Sequence, residues 1–132
     1  TQKLKDLWKH RGKKDYEFDD IILLKVGRHI RPSPDFKLII GRDEGENHFL
    51  ENYQHQYTSI KPISHLGPLS LIDGKVNAEY IHYAAQIAAR FTDAKSNDMV
   101  TLGINSLSGS VQTLKVNPFT TDQILKEWYI SG

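Results

Sequence analysis

The chain has 132 residues, 39% hydrophobic and 25% charged, which suits one globular domain and excludes both a long disordered segment and a second sizeable core. It contains no cysteine, which removes disulfides, thiolate zinc sites and cysteine nucleophiles, and no apolar run approaches the ~18 residues of a membrane span. The net charge of +1 hides a gradient: residues 1–42 carry eleven Lys and Arg against six Asp and Glu, and residues 43–132 carry six against ten. A basic end of this kind points to a polyanionic partner, because clustered cations displace counterions from phosphates.

The sequence opens at Thr1 without a leader pattern, and its single methionine is Met99, so the expectation is a cytoplasmic fragment of a longer protein. Leu4, Leu7 and Trp8 fall at i, i+3 and i+4, one apolar stripe of a short helix that Gly12 stops. The polar stretch after it is hinge-like. Residues 1–14 therefore read as a helical lead-in or linker from an upstream domain, and residues 15–132 as a single domain.

The continuous apolar run Ile21 to Leu24 predicts a central strand buried on both faces. Gly27 to Asp35, with Pro32 and Pro34, predicts a turn or an extended excursion, and Phe36 to Ile40 a second strand in a hairpin with the first. Asp43 followed by Glu46 is a capping box opening a short helix through Asn47, Phe49, Leu50 and Tyr53. Residues 57–63 and 69–72 read as short strands, the first irregular because of Pro62 and the second ended by Asp73-Gly74.

Asn77 caps the clearest element, a long alanine-rich helix from about Ala78 to Phe91 whose small residues permit close approach to a sheet. Residues 100–104 and 111–116 form a hairpin around a Ser- and Gly-rich loop, and Thr120 with Gln123 predicts a final short helix carrying Ile124, Leu125 and Trp128. Hairpins interleaved with helices give an α+β class: a mostly antiparallel sheet of about six strands with helices packed on it.

Lys25, Arg28, His29, Arg31, Lys37 and Arg42 lie within eighteen residues on the first two strands and their connection. Arginine forks grip phosphate through two hydrogen bonds and stack on unpaired bases, and histidine adds a stacking surface and a proton near neutral pH. Pro32 and Pro34 break the regular ladder, so Arg28 and Arg31 are expected to converge despite alternation. His65 precedes Gly67 and Pro68 in an irregular junction, where it stands either beside a groove or in a structural role.

Other chemistries find little support. The six histidines match no HExxH or facial-triad spacing, no metal is expected, and GRDEGEN lacks a phosphate-binding glycine pattern while carrying three acids of its own. The 106–110 stretch SLSGS reads as a hairpin loop without the nucleophile-elbow pattern, so no catalytic residue is assigned.

The segments LLKVGRHIR, KLIIGRDEGEN, HLGPLSLIDG and AAQIAARFTDAK resemble the C-terminal RNA-binding domain, of the NFACT-R type, appended to PP-loop proteins related to bacterial tRNA thiouridylases. Proteins of that kind are often labelled tRNA (5-methylaminomethyl-2-thiouridylate) methyltransferases. The resemblance implies that Lys25, Arg28, His29, Arg31 and Arg42 contact RNA and that Gly27 and Gly41 are backbone turns. It also implies an upstream ATP-binding catalytic domain carrying an SGGxDS loop, which this chain does not contain, so ATP belongs to the parent protein and no cofactor to this segment. Ile30 stands where the pattern leads one to expect an aromatic. The full RNA-contact set is Lys25, Arg28, His29, Arg31, Lys37, Arg42 and His65, and the partners are tRNA or other structured RNA and the upstream PP-loop domain, without a membrane. The resulting expectation is a tRNA-binding module of a transferase, not catalytic alone. A protein-docking module using Trp8 and Trp128 is the alternative, with a catalytic domain in its own right behind it.

Overall fold

The computed structural model describes residues 2–11, 23–95, 97–120 and 122–130. In chain order the elements are α1 (Gln2–Arg11), β1 (Arg28–Ser33), β2 (Phe36–Ile40), α2 (Glu44–Glu51), β3 (Thr58–Pro62), β4 (Ser70–Gly74), α3 (Ala78–Arg90), β5 (Val100–Asn105), β6 (Val111–Val116), a 3-10 turn (Lys126–Trp128) and β7 (Tyr129–Ile130). The strands form one seven-stranded sheet in the order β6-β5-β3-β4-β2-β1-β7, and every neighbouring pair is antiparallel.

The two faces of the sheet are covered by different helices. Ile30, Leu38, Ile40, Ile60, Ile72 and Leu102 point to the face that packs on Ala84, Ala85, Ile87 and Ala88 of α3. Ile39 and Leu71 point the other way, onto Leu23, Leu50 of α2, Tyr53 and Tyr57. Strand β2 is consequently buried at all five positions, and each of its fully covered Leu or Ile side chains contributes about 1.5–3 kcal/mol. The alanines of α3 let the helix lie close to the sheet, so a larger side chain at Ala85 would overpack it by about 1–3 kcal/mol. Caps behave as their residue types dictate: Asn77 Oδ1 accepts the Tyr80 N–H at 2.8 Å, and Asp43 Oδ1 accepts the Glu46 N–H at 2.8 Å.

Three expectations are corrected. Leu23 and Leu24 are buried, but Leu23 is helical and Leu24 lies in the turn after it, which the Val26 N–H closes onto Leu23 O at 3.1 Å, and the strand begins at Arg28; positions 21–22 lie outside the described residues. An apolar run reports burial, and here the burial is that of a helical Leu23 packed with Leu50 of α2. The segment expected to be an excursion is β1 itself. Its pairing with β2 is irregular between Ile30 and Ser33, and β7 pairs only His29 and Ile30, so Pro32 occupies a position that owes no ladder bond to β7.

At the C-terminal end, the Thr120 N–H reaches Gln123 Oε1 at 2.8 Å and the Gln123 N–H reaches Thr120 Oγ1 at 3.3 Å, yet among the described residues no α-helix follows, only the 3-10 turn Lys126–Trp128. A reciprocal cap needs only a turn. Burial of Ile124 and Ile130 is met instead by an extended return that adds β7, which makes seven strands where six were expected. A helix does form over Gln2–Arg11, and it lies against β1 through an ion pair between Asp6 and Arg31; its predicted stop at Gly12 lies outside the described residues. No described helix is long and apolar enough to cross a membrane.

Candidate functional site

Registers Arg28↔Ile40 and Ile40↔Ser70 bring the start of β1, the end of β2 and the start of β4 to one end of the sheet. The C-terminal end of α3 arrives there as well. Between them lies a cleft of about 580 Å³ whose lining includes Arg28, Arg42, Arg90 and Phe91, the glycines Gly41 and Gly67, and two acidic residues, Asp43 and Glu44, against the three arginines. The Arg28 guanidinium carbon stands 4.9 Å from the centre of the Phe91 ring, a cation–π contact that holds the cation at the cleft without a carboxylate. Arg28 forms no ion pair with any described residue.

Arg42 is oriented by Glu46. Its Nε and Nη2 donate to Glu46 Oε1 and Oε2 at 2.9 and 2.7 Å, while the backbone N–H groups of Arg42 and Gly27 reach the same carboxylate at 2.9 and 3.0 Å. The anticipated capping box is therefore shifted by one residue, since Glu46 turns back to Arg42 and Gly27. The guanidinium hydrogen bonds of Arg42 outweigh the cost of partial burial and hold the Glu46 carboxyl down to about 2, and Glu46 raises the pKa of Arg42 in return. The Arg42 side chain remains 49% exposed, with its Nη1 edge free of hydrogen bonds to described residues. Gly41 allows the tight approach behind it: a Cβ there would collide with Asn47 Oδ1, which accepts the Leu69 N–H at 3.2 Å.

A second, smaller cleft of about 310 Å³ shares Arg28 and Arg42 and adds Lys3 of α1 and Tyr129 of β7. Burial and the neighbouring Arg42 charge lower the pKa of Lys3, in that order, with Glu46 acting against them.

The structure separates the residues singled out in the sequence. Arg28 and Arg42 come together, but Arg28 and Arg31 do not converge: Arg28 faces Phe91, whereas Arg31 points to the opposite face and is held in a two-point bond by Asp6. Lys37 is 1% exposed with its Nζ 3.8 Å from the same Asp6, so it belongs to the interior beneath α1 and offers no surface to RNA. His29 is corrected as well. It is 1% exposed, its Nε2 lies 3.1 and 3.0 Å from the Leu23 and Val26 carbonyl oxygens, and burial followed by the charges of Lys37 and Lys3 pushes its pKa down to about 3. It is thus a neutral structural ring that donates from Nε2, not a proton donor near neutrality. Lys25 is exposed on the turn before β1, apart from both clefts. His65 sits with its Nε2 3.3 Å from Asp98 and its Nδ1 2.7 Å from Ser64 Oγ, bracing the loop that carries Gly67.

Four liners escaped the sequence reading. Arg90 and Phe91 were legible in principle, since the basic and aromatic end of the long helix stands within the quoted AAQIAARFTDAK segment. Lys3 and Tyr129 had no local signal, because their place depends on how α1 and β7 dock.

Residues 27–129 match the family described as the NFACT protein RNA binding domain. Among solved structures, the chain is similar to the C-terminal part of the fibronectin/fibrinogen-binding protein from Streptococcus suis, at 20% identity and a TM-score of 0.64. The match covers 96% of this chain and 58% of that one, so this chain spans little more than half of its solved counterpart, and the likeness is one of fold. No curated protein matches.

Proposed function

We propose, since this chain belongs to the NFACT protein RNA binding domain family, that it holds RNA at the end of the sheet where Arg28, Arg42 and Arg90 line one cleft. The observation that carries this reading is Arg28. A guanidinium that packs on an aromatic ring and pairs with no described carboxylate has its hydrogen-bonding edge available to a phosphate. Glu46 acts as a positioning residue that fixes Arg42 while leaving the Nη1 edge open. Such contacts set the register of an RNA and do not read its sequence.

The narrower reading is that the RNA is tRNA and that the chain presents it to an upstream PP-loop, ATP-dependent thiouridylase-like domain that performs the chemistry. It is supported by the four motif segments and by the basic N-terminal third of the chain, and in it this chain supplies contacts and no catalytic group. Bulk tRNA titrated into the protein, with structured RNA of unrelated sequence as competitor, tests both levels. Arg28→Gln is expected to weaken both RNAs and Arg28→Lys to restore part of the loss. Preference for tRNA over the competitor supports the narrower reading, equal competition removes it, and an unaffected Arg28→Gln variant overturns the cleft as the site.

A further inference from the structure

Tyr129 is 41% exposed and lines two clefts at once. On one side is the smaller basic cleft with Lys3, Arg28 and Arg42. On the other, between α1 and the β1–β7 edge, is a cleft of about 390 Å³ lined by Lys5, Lys9, Arg31, Pro32 and Pro34. The exposed Lys5 and Lys9 form no ion pair with a described residue, whereas Asp6 in the same wall is engaged by Arg31; Glu127 is the acidic residue left at the rim. Cations therefore flank an exposed aromatic ring on both sides. An alternation of backbone cations and a stacking platform suits an unpaired strand, whose splayed bases can meet a ring, and does not suit a duplex, whose bases are already stacked.

We propose that an unpaired RNA segment runs from the Arg28 cleft across Tyr129 into the Lys5 and Lys9 cleft, with one base stacked on the Tyr129 ring. The inference rests on the RNA reading of the Arg28 cleft and extends it in two ways: it names single-stranded RNA as the bound form, and it makes α1, which precedes the matched residues 27–129, part of the interface. Lys5 and Lys9 then act from one helix, which the Asp6 to Arg31 pair holds against the sheet, while Lys3 of the same helix is buried at 8% exposure and lines the cleft on the Arg28 side.

The test is binding of a labelled oligouridylate and of an RNA duplex of equal length across a salt series, with unfolding of each variant followed to confirm the fold. The wild type is expected to prefer the single strand. Tyr129→Ala is expected to lose about tenfold or more of that affinity, the size of one base–aromatic stack, with Tyr129→Phe restoring it and Tyr129→Leu, apolar but without a ring, failing to. Lys5→Gln with Lys9→Gln is expected to flatten the slope of log affinity against log salt by about 1.4, two single-strand phosphate contacts. Equal affinity for strand and duplex, a silent Tyr129→Ala or an unchanged slope in the lysine variant each overturns the proposal. If Arg28→Gln abolishes binding while those variants are silent, this inference fails and the cleft reading stands; if Arg28→Gln is itself silent, the cleft reading fails.

Discussion

Arg31 on β1 and Asp6 on α1 meet in a two-point ion pair, Nε to Oδ1 at 2.8 Å and Nη2 to Oδ2 at 2.9 Å, with each side chain only 12% exposed. Planar forks of this kind are among the stronger charge-assisted hydrogen bonds, and this one joins residues twenty-five positions apart in sequence. Its consequence is that α1 places the buried Lys3 in the wall of the smaller cleft that shares Arg28 and Arg42.

Asp6→Asn should therefore act on stability first. It removes the charge that holds Arg31 and leaves the buried Lys37 without the carboxylate 3.8 Å away. A loss of about 1.5–3 kcal/mol is expected, read as a lower urea midpoint with an unchanged slope. An unmoved midpoint would mean that α1 is not held by this pair.

Acid should destabilise the fold in two stages. The folded His29 refuses a proton until about pH 3, whereas the unfolded ring takes one near 6.5, so the unfolded state binds more protons in that window and stability falls as pH is lowered through it. The slope from this group is at most about 1.4 kcal/mol per pH unit. Glu46 acts in the same direction lower down, between its ordinary 4.5 and about 2. Stability from both groups is fully present above pH 6.5. In His29→Gln, which can still donate to the Leu23 and Val26 carbonyls, the decline between pH 6.5 and 4.5 should flatten; an identical profile in the variant would contradict the buried neutral ring.

Gly27 has φ +78°, and a Cβ there would stand 2.8 Å from Ile40 O. Gly27→Ala should cost about 2 kcal/mol or more, from left-handed strain and displacement of the β1–β2 junction. Gly109, with φ +88° and nothing within 4 Å of an added Cβ, is the matched control, and Gly109→Ala should cost only about 1 kcal/mol by thermal unfolding. Equal losses at the two sites would show that crowding at Gly27 is relieved without cost.

Most of this fold was legible where the signal is local. Asn77 and Asp43 announce their helices because a cap is a bond within three residues, and the β5–β6 hairpin is marked by its own loop. What was not legible depends on distant partners. Leu23 is as apolar as a strand residue but is buried under α2, and β7 exists only because β1 offers it an edge at His29 and Ile30. The basic cluster was visible as charge, yet charge along a chain does not say which cations the fold consumes. Arg31 is engaged by Asp6 and Lys37 is buried beside it, while Arg28 packs on Phe91 and shares a cleft with Arg90, both from the end of a helix some sixty residues away.

The most direct test of the arginine cleft is the salt dependence of tRNA binding by the wild type and by Arg28→Gln with Arg42→Gln. If both guanidiniums contact phosphates, the variant binds more weakly at every salt concentration, and its slope of log affinity against log salt is shallower by about 1.4–1.8. A variant that keeps the wild-type affinity and slope while remaining folded would contradict the account, and would leave this end of the sheet without a role in holding RNA.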